Sequence, residues 1–145
     1  MEAMDIGDMQ GALLHVAKKI VESEERLTRI DSVIGDGDHG IGMRIGFRAA
    51  GRLLDASRFD SINSLFTAGG LELGKSMGGA PRVLFGSLFI GGLHELPETH
   101  TLSAEQSSSP LTASAESIRR LGSPHPGDKT MVDAFIPTAA PLSRA

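Results

Sequence analysis

Apolar side chains at Leu13, Val16, Ala17, Ile20, Leu27 and Ile30 recur at helical spacing, with Lys18, Lys19, Glu22 and Glu25 in the gaps. That rhythm puts the apolar groups on one stripe of a helix and charge on the opposite face. It predicts a helix over residues 9–30 with Asp8 as its N-cap. The pattern returns downstream. A second helix is expected from Ile41 through Phe47 to Leu54, and a third through Ile62, Leu65, Phe66, Leu73 and Met77, capped by Asp60 or Ser61. After the Gly78-Gly79 break, Val83, Leu84, Leu88, Phe89 and Leu93 suggest a fourth. Strand formers offer little competition. Aromatic residues are 4% of the chain and all are Phe, so the core must be Leu, Ile, Val, Met and Ala, with 18 glycines allowing close helix approach.

The stretch from Glu95 to Pro110 interrupts this rhythm. Pro97, the serines at 107–109 and Pro110 predict a loop, followed by a frayed helix near Ala113–Leu121. Ser103 and Gln106 have the spacing of a capping box. Gly122 to Thr130 reads as a turn, and Pro137 and Pro141 weaken the last apolar segment, from Met131, as a helix. The 145 residues suit one domain with a real core. A net charge of −4 without a basic stripe leaves no footprint for nucleic acid. The absence of Cys excludes disulfides, thiolate nucleophiles and Cys-based zinc sites. No apolar run approaches the roughly 20 residues that span a bilayer, and the first residues lack the order of a signal peptide. The expectation is a cytoplasmic enzyme or binding module that engages neither nucleic acid nor membrane.

Chemistry concentrates at Asp31, Asp36 and Asp38, which alternate with Gly35, Gly37 and Gly40 around His39. Three carboxylates this close repel one another unless a cation sits between them. A hard divalent cation takes oxygen ligands, and Mg²⁺ commonly combines a few carboxylates with phosphate oxygens. The glycines let the backbone turn tightly and approach a ligand. The loop also opens a helix, whose free N–H groups favour phosphate. A plain turn, with carboxylates capping helices, accounts for the same tripeptide. The spacing does not fit an EF-hand.

Gly69-Gly-Leu-Glu-Leu-Gly74-Lys75-Ser76 matches the phosphate-loop string G-x-x-x-x-G-K-[ST]. Such a loop needs a buried strand before it and a helix starting at Gly-Lys. Here Ser61–Thr67 reads as helix, and Gly78-Gly79 would stop the required helix after one turn. The string is expected to be a chance match inside a helix.

Three blocks in order resemble one known family. Asp31-Ser-Val-Ile-Gly-Asp-Gly-Asp-His-Gly-Ile-Gly-Met43 with Gly46-Phe47 is similar to the loop of the dihydroxyacetone kinase L subunit (DhaL, the DAK2 domain). Ser76-Met-Gly-Gly-Ala80 with Leu84-Phe-Gly-Ser-Leu-Phe89 resembles its second glycine motif. Gly122 with Pro126-Gly-Asp-Lys-Thr-Met131 resembles its third. The resemblance implies an all-α, up-and-down barrel or bundle of antiparallel amphipathic helices, with nucleotide and metal at one end. It implies two Mg²⁺ ions on Asp31, Asp36 and Asp38. It implies nucleotide contacts at His39, Gly40, Ile41 and Gly42, at Gly79, Ala80 and Pro81, and at Gly122 and Met131. The nucleotide is ADP kept as a cofactor and recharged by a phosphocarrier M subunit, or exchangeable ATP. The acceptor is a short hydroxyketone held on a partner K subunit. This half would carry no nucleophile, so no catalytic side chain is assigned to it.

The chain departs from the family pattern at several points. Pro81 and Arg82 stand where the family usually has Ser-Gly, which removes a backbone donor and a hydroxyl and brings in a cation. The Ser107–Pro110 patch replaces an apolar helix stripe. Gly42 stands where the best-known members have Asn, which suits a paralogue for another short ketose. Family members also continue beyond the position of Ala145, so residues 1–145 are expected to form a single domain lacking its C-terminal helices. Two other functions compete with the kinase subunit: a truncated, non-catalytic binding or regulatory module, and a P-loop NTPase.

Overall fold

A computed structural model describes residues 3–122, 125 and 127–142. Ser123, Pro124 and Pro126 of the third glycine block, and Ala145, lie outside the described residues. The chain opens with a two-residue strand β1 (Met4–Asp5) and helix α1 (Ile6–Glu22). The Asp5 carboxylate accepts the Asp8 N–H at 2.8 Å, and the Asp8 carboxylate accepts the Asp5 N–H at 3.4 Å. The cap is therefore Asp5, and Asp8 is its reciprocal partner one turn in.

The single helix expected over 9–30 is two helices. Ser23 turns the chain, its N–H reaching back to the Ile20 carbonyl at 3.0 Å and its Oγ to Lys19 O at 2.8 Å. Helix α2 (Glu24–Asp31) follows. Helices α3 (His39–Ala56) and α4 (Ile62–Ser76) come next, and Ser61 caps α4 by exchanging hydrogen bonds with Ser64. Helix α5 spans Gly79–Ile90, and a short 3-10 turn covers Leu93–Glu95. Strand β2 (Thr101–Leu102) pairs antiparallel with β1, setting Met4 opposite Leu102.

Residues 96–103 lie outside any helix as expected, but the rest of the predicted loop, through Pro110, is instead the start of helix α6 (Ala104–Gly122). The Ser103–Gln106 capping box starts it, with bonds of 2.9 and 3.2 Å. Ser107 Oγ donates to Ser103 O at 2.7 Å along the helix and Ser109 Oγ to Glu95 Oε2 at 3.1 Å, so these serines spend their hydroxyls without breaking it. Pro110 removes one rung, and the rest of the ladder holds. Helix α7 (Val132–Leu142) likewise carries Pro137 and Pro141.

The helices pack in chain order: α1 on α3, α3 on α4, α4 on α5, α5 on α6 and α6 on α7, with α2 lying on α3. This is the all-α, up-and-down arrangement expected. Ala17, Met43, Phe47, Ala50, Leu73 and Met77 form the main core, joined by Leu27 and by Phe85, whose ring meets Phe47 edge-on at 5.5 Å. A second cluster around Ile62, Leu96 and Leu102 ties the α5–α6 connection to the start of α1. Among the described residues, no helix is long and apolar enough to cross a membrane.

Candidate metal centre

The aspartate loop joins α2 to α3 and folds around its own carboxylates. Asp31 is the last residue of α2, and its Oδ2 accepts N–H groups from Gly37 at 3.0 Å and His39 at 3.2 Å. Those two bonds draw the N-terminus of α3 onto the end of α2. Gly35 N donates to Asp31 O, and Gly37 takes φ +78°, a left-handed conformation open to glycine. Asp36 Oδ1 accepts the Asp38 N–H at 3.4 Å.

The result is a convergence: one carboxylate oxygen from each of Asp31, Asp36 and Asp38 lies within 4.8 Å of the other two. Asp31 is half-buried, while Asp36 and Asp38 are exposed. Among the described residues, no Lys or Arg pairs with any of the three. The hydrogen bond between the Asp36 and Asp38 side chains, then repulsion from Asp36 and a smaller contribution from Asp31, raise the Asp38 pKa above its ordinary value, with His39 opposing. The cluster thus resists carrying its full negative charge. Three hard oxygen donors at this spacing suit a divalent cation such as Mg²⁺.

The residues that follow differ in what they face. His39 begins α3 and spends its N–H on Asp31. Gly40 is buried, and a Cβ there would run into Glu24 O and the backbone and hydroxyl of Thr28 on α2. Ile41 is exposed, and Gly42 has open space where a Cβ would stand. The N–H groups of Gly40 and Ile41 lie in the first turn of α3, where no helical acceptor precedes them.

Gly79, Ala80 and Pro81 form the first turn of α5, and Gly79 takes φ +64°. Pro81 thus breaks no helical bond, because the first-turn N–H groups have no acceptor in any case. Met77, just before α5, packs where a Cβ on Gly46 would sit, which brings the start of α5 against the first half of α3. At this end Ala80, Val83 and Leu84 face Ile118, Leu121 and Gly122 of α6, and Met131 and Val132 at the start of α7. Together with Thr130 they line an apolar groove of about 500 Å³. Ala80, Gly122 and Met131, far apart in the chain, therefore share one wall.

One organising residue escaped the sequence reading. The Asp133 carboxylate accepts N–H groups from Gly127 at 2.6 Å and Thr130 at 3.1 Å, and so shapes the third glycine block. The Gly127 bond holds the Asp133 pKa below its ordinary value, with help from Thr130 and Lys129 against a burial effect of opposite sign. Its signal was the Thr130-Met-Val-Asp133 spacing, a capping-box interval with Asp in place of Glu. The G-x-x-x-x-G-K-S string, by contrast, lies entirely inside α4. Lys75 is exposed on that helix and Ser76 Oγ donates to Glu72 at 2.7 Å, so the P-loop reading is excluded.

Comparison with known proteins places the chain in a family. The DAK2 domain family matches residues 33–145. The ADP-binding subunit DhaL of PEP-dependent dihydroxyacetone kinase 2 from Listeria innocua serovar 6a is 35% identical over 130 residues, covering 88% of this chain and 60% of that protein. D-erythrulose kinase from Mycolicibacterium smegmatis is 34% identical over 131 residues, 89% of this chain but 23% of the longer enzyme. In structure, the dihydroxyacetone kinase from C. freundii in complex with AMP-PNP and Mg²⁺ superposes with a TM-score of 0.77 at 24% identity, over 98% of this chain and 26% of that one. The chain spans about 60% of the length of the DhaL subunit from Listeria that it matches. The fold agrees with that of the kinase, and the family match over residues 33–145, most of the chain, establishes that the chain belongs to the DAK2 domain family.

Proposed function

We propose that this chain is the nucleotide-binding part of a dihydroxyacetone-type kinase, holding Mg-ADP or Mg-ATP and directing a phosphoryl group to a short hydroxyketone on a partner K subunit. The observation that carries the reading is the convergence of Asp31, Asp36 and Asp38 at the N-terminus of α3. These three side chains would hold the metal, as two Mg²⁺ ions. Bound Mg²⁺ would neutralise phosphate charge and fix the geometry of the polyphosphate.

The rest of the site would position the nucleotide. The free N–H groups of Gly40 and Ile41 and the open face at Gly42 suit a phosphate approaching α3 along its dipole. The apolar groove, lined by Ala80, Gly122 and Met131 among others, suits the flat face of a base, and Gly79 and Pro81 flank Ala80 in the first turn of α5. Phosphoryl transfer asks for positioning and charge more than for a protein nucleophile, which agrees with a site built of carboxylates and backbone. One relative is named as an ADP-binding subunit, which supports the pairing with another polypeptide. The phosphoryl source is a phosphocarrier M subunit recharging ADP, or ATP itself.

Calorimetry with ADP tests the reading. Binding is expected in millimolar Mg²⁺, to vanish with chelator, and to be abolished by Asp36→Asn or Asp38→Asn. A wild-type chain that takes up no nucleotide with Mg²⁺ would sink the proposal. A second reading has its own observation: Pro81 and the exposed Arg82 alter the first turn of α5 beside the groove. It makes the chain a binding module that holds nucleotide without turnover. Formation of dihydroxyacetone phosphate on mixing with a K subunit rules that out.

A further inference from the structure

The aspartate loop can be no more precise than the contact between the two helices that hold it, and that contact has an unusual construction. Gly40 presses its bare α-carbon onto the α2 backbone at Glu24 and Thr28. One turn on, Arg44 brings its Nε within 2.8 Å of Glu24 Oε1, with each side chain about two-thirds buried. The Nε atom is itself shut off from solvent and makes no directed hydrogen bond, so the contact is an ion pair gripping through charge. Thr28 Oγ1, also shut off from solvent, has no hydrogen-bond partner in this contact, so close approach here is kept at the expense of a polar group. Asp31 leaves α2 two turns after Glu24, and its carboxylate already engages the start of α3 through Gly37 and His39.

We infer that the Glu24–Arg44 ion pair is a positioning device for the metal centre: it sets the seat of α2 on α3, and with it the place of the Asp31 carboxylate relative to Asp36 and Asp38. The inference rests on the metal-site reading above. Neither residue touches the ion. Both act through a rigid helix, as outer partners that orient a ligand. Gly40 is the structural complement, since any side chain there would lift α2 away.

Through-space charge and positioning predict opposite patterns. If the pair acted only through its field, Glu24→Gln would weaken cation binding and Arg44→Gln would strengthen it, because a cation near the carboxylates is lost. If the pair positions Asp31, both variants weaken binding. The experiment titrates Mn²⁺, as a spectroscopic stand-in for Mg²⁺, into the full chain by electron paramagnetic resonance, alongside thermal melts. Both single variants are expected to lose on the order of 10-fold in Mn²⁺ affinity, the low end for outer-shell partners. The double swap Glu24→Arg with Arg44→Glu should regain most of it. Glu116→Gln, which breaks the separate ion pair with Arg119 on α6, should change nothing. The inference is overturned if Arg44→Gln binds Mn²⁺ as tightly as the unaltered chain or more tightly, or if the variants lose melting temperature alone. No Mn²⁺ binding by the unaltered chain overturns the metal-site reading and this inference with it.

Discussion

Residues 31–40 and residues 69–76 are both glycine-rich, but they fold in opposite ways. In the first, Gly37 takes a left-handed turn and three carboxylates crowd together at the mouth of a helix. In the second, the helix runs straight through, and Gly69 and Gly70 are buried where α5 lies against α4. A methyl on Gly70 would stand 2.8 Å from Phe89 Cβ. Glycine serves a turn in one place and close helix packing in the other. The neighbours decide which: Asp at every second position repels helical packing, whereas Leu71 and Leu73 with Glu72 continue a helix.

The largest effect that separates the two regions is on ligand binding. Asp38→Asn is expected to weaken Mg-ADP binding by about 100-fold or more, since a charged ligand contact of about 3 kcal/mol corresponds to that factor. Lys75→Ala should leave affinity within about twofold, the scatter expected of a surface change away from any site. Isothermal titration of both variants under one buffer makes the comparison. A loss confined to Lys75→Ala would reverse the assignment of the two stretches.

Stability separates them next, on a smaller scale. Gly70→Ala overpacks the α4–α5 contact and should destabilise by about 1–3 kcal/mol. Gly74, four residues along the same helix, has nothing within reach of an added methyl, so Gly74→Ala should stabilise by about 0.5–1 kcal/mol. Opposite shifts in urea midpoint, with unchanged slope, would show that packing and not glycine content governs this helix. Shifts of the same sign would mean that α4 and α5 do not meet closely at Gly70.

These contrasts also explain how far the sequence could be read. Periodicity carried the long helices, and Ser61 was named among the caps of α4 because its spacing fits the rule. It could not show the break at Ser23, since serine is compatible with a helix and the turn depends on where α2 must lie on α3. The serines and Pro110 read as breakers because the hydroxyl bonds within this helix, Ser107 to the Ser103 carbonyl and Thr112 to the Ser108 carbonyl, are invisible before the helix exists. The aspartate loop was legible as a local cluster. Its support was not: Gly40 against α2, Glu24 with Arg44, and the groove uniting Ala80, Gly122 and Met131 all depend on tertiary contact.

The smallest effect concerns a third glycine stretch, Gly127–Thr130, where the Asp133 carboxylate that shapes it does the opposite of the crowded ones. Asp133 is stabilised in its charged form by backbone N–H groups, first of all Gly127, so its folded pKa lies below 3.8. Its contribution to stability is therefore complete above 3.8 and fades as pH falls through the lowered value. Asp38 has the reverse sign. Its folded pKa lies above 3.8 through its contact with Asp36, so its charge opposes folding at neutral pH, and that penalty lifts as pH falls through the raised value. Carboxyl-carbon NMR across an acid titration should find the two residues on opposite sides of 3.8. Adding Mg²⁺ should pull Asp38 down while Asp133 stays in place, because only the crowded carboxylates gain a counter-charge. If Mg²⁺ moves both or neither, the charge tension in the aspartate loop is not relieved by a metal held there.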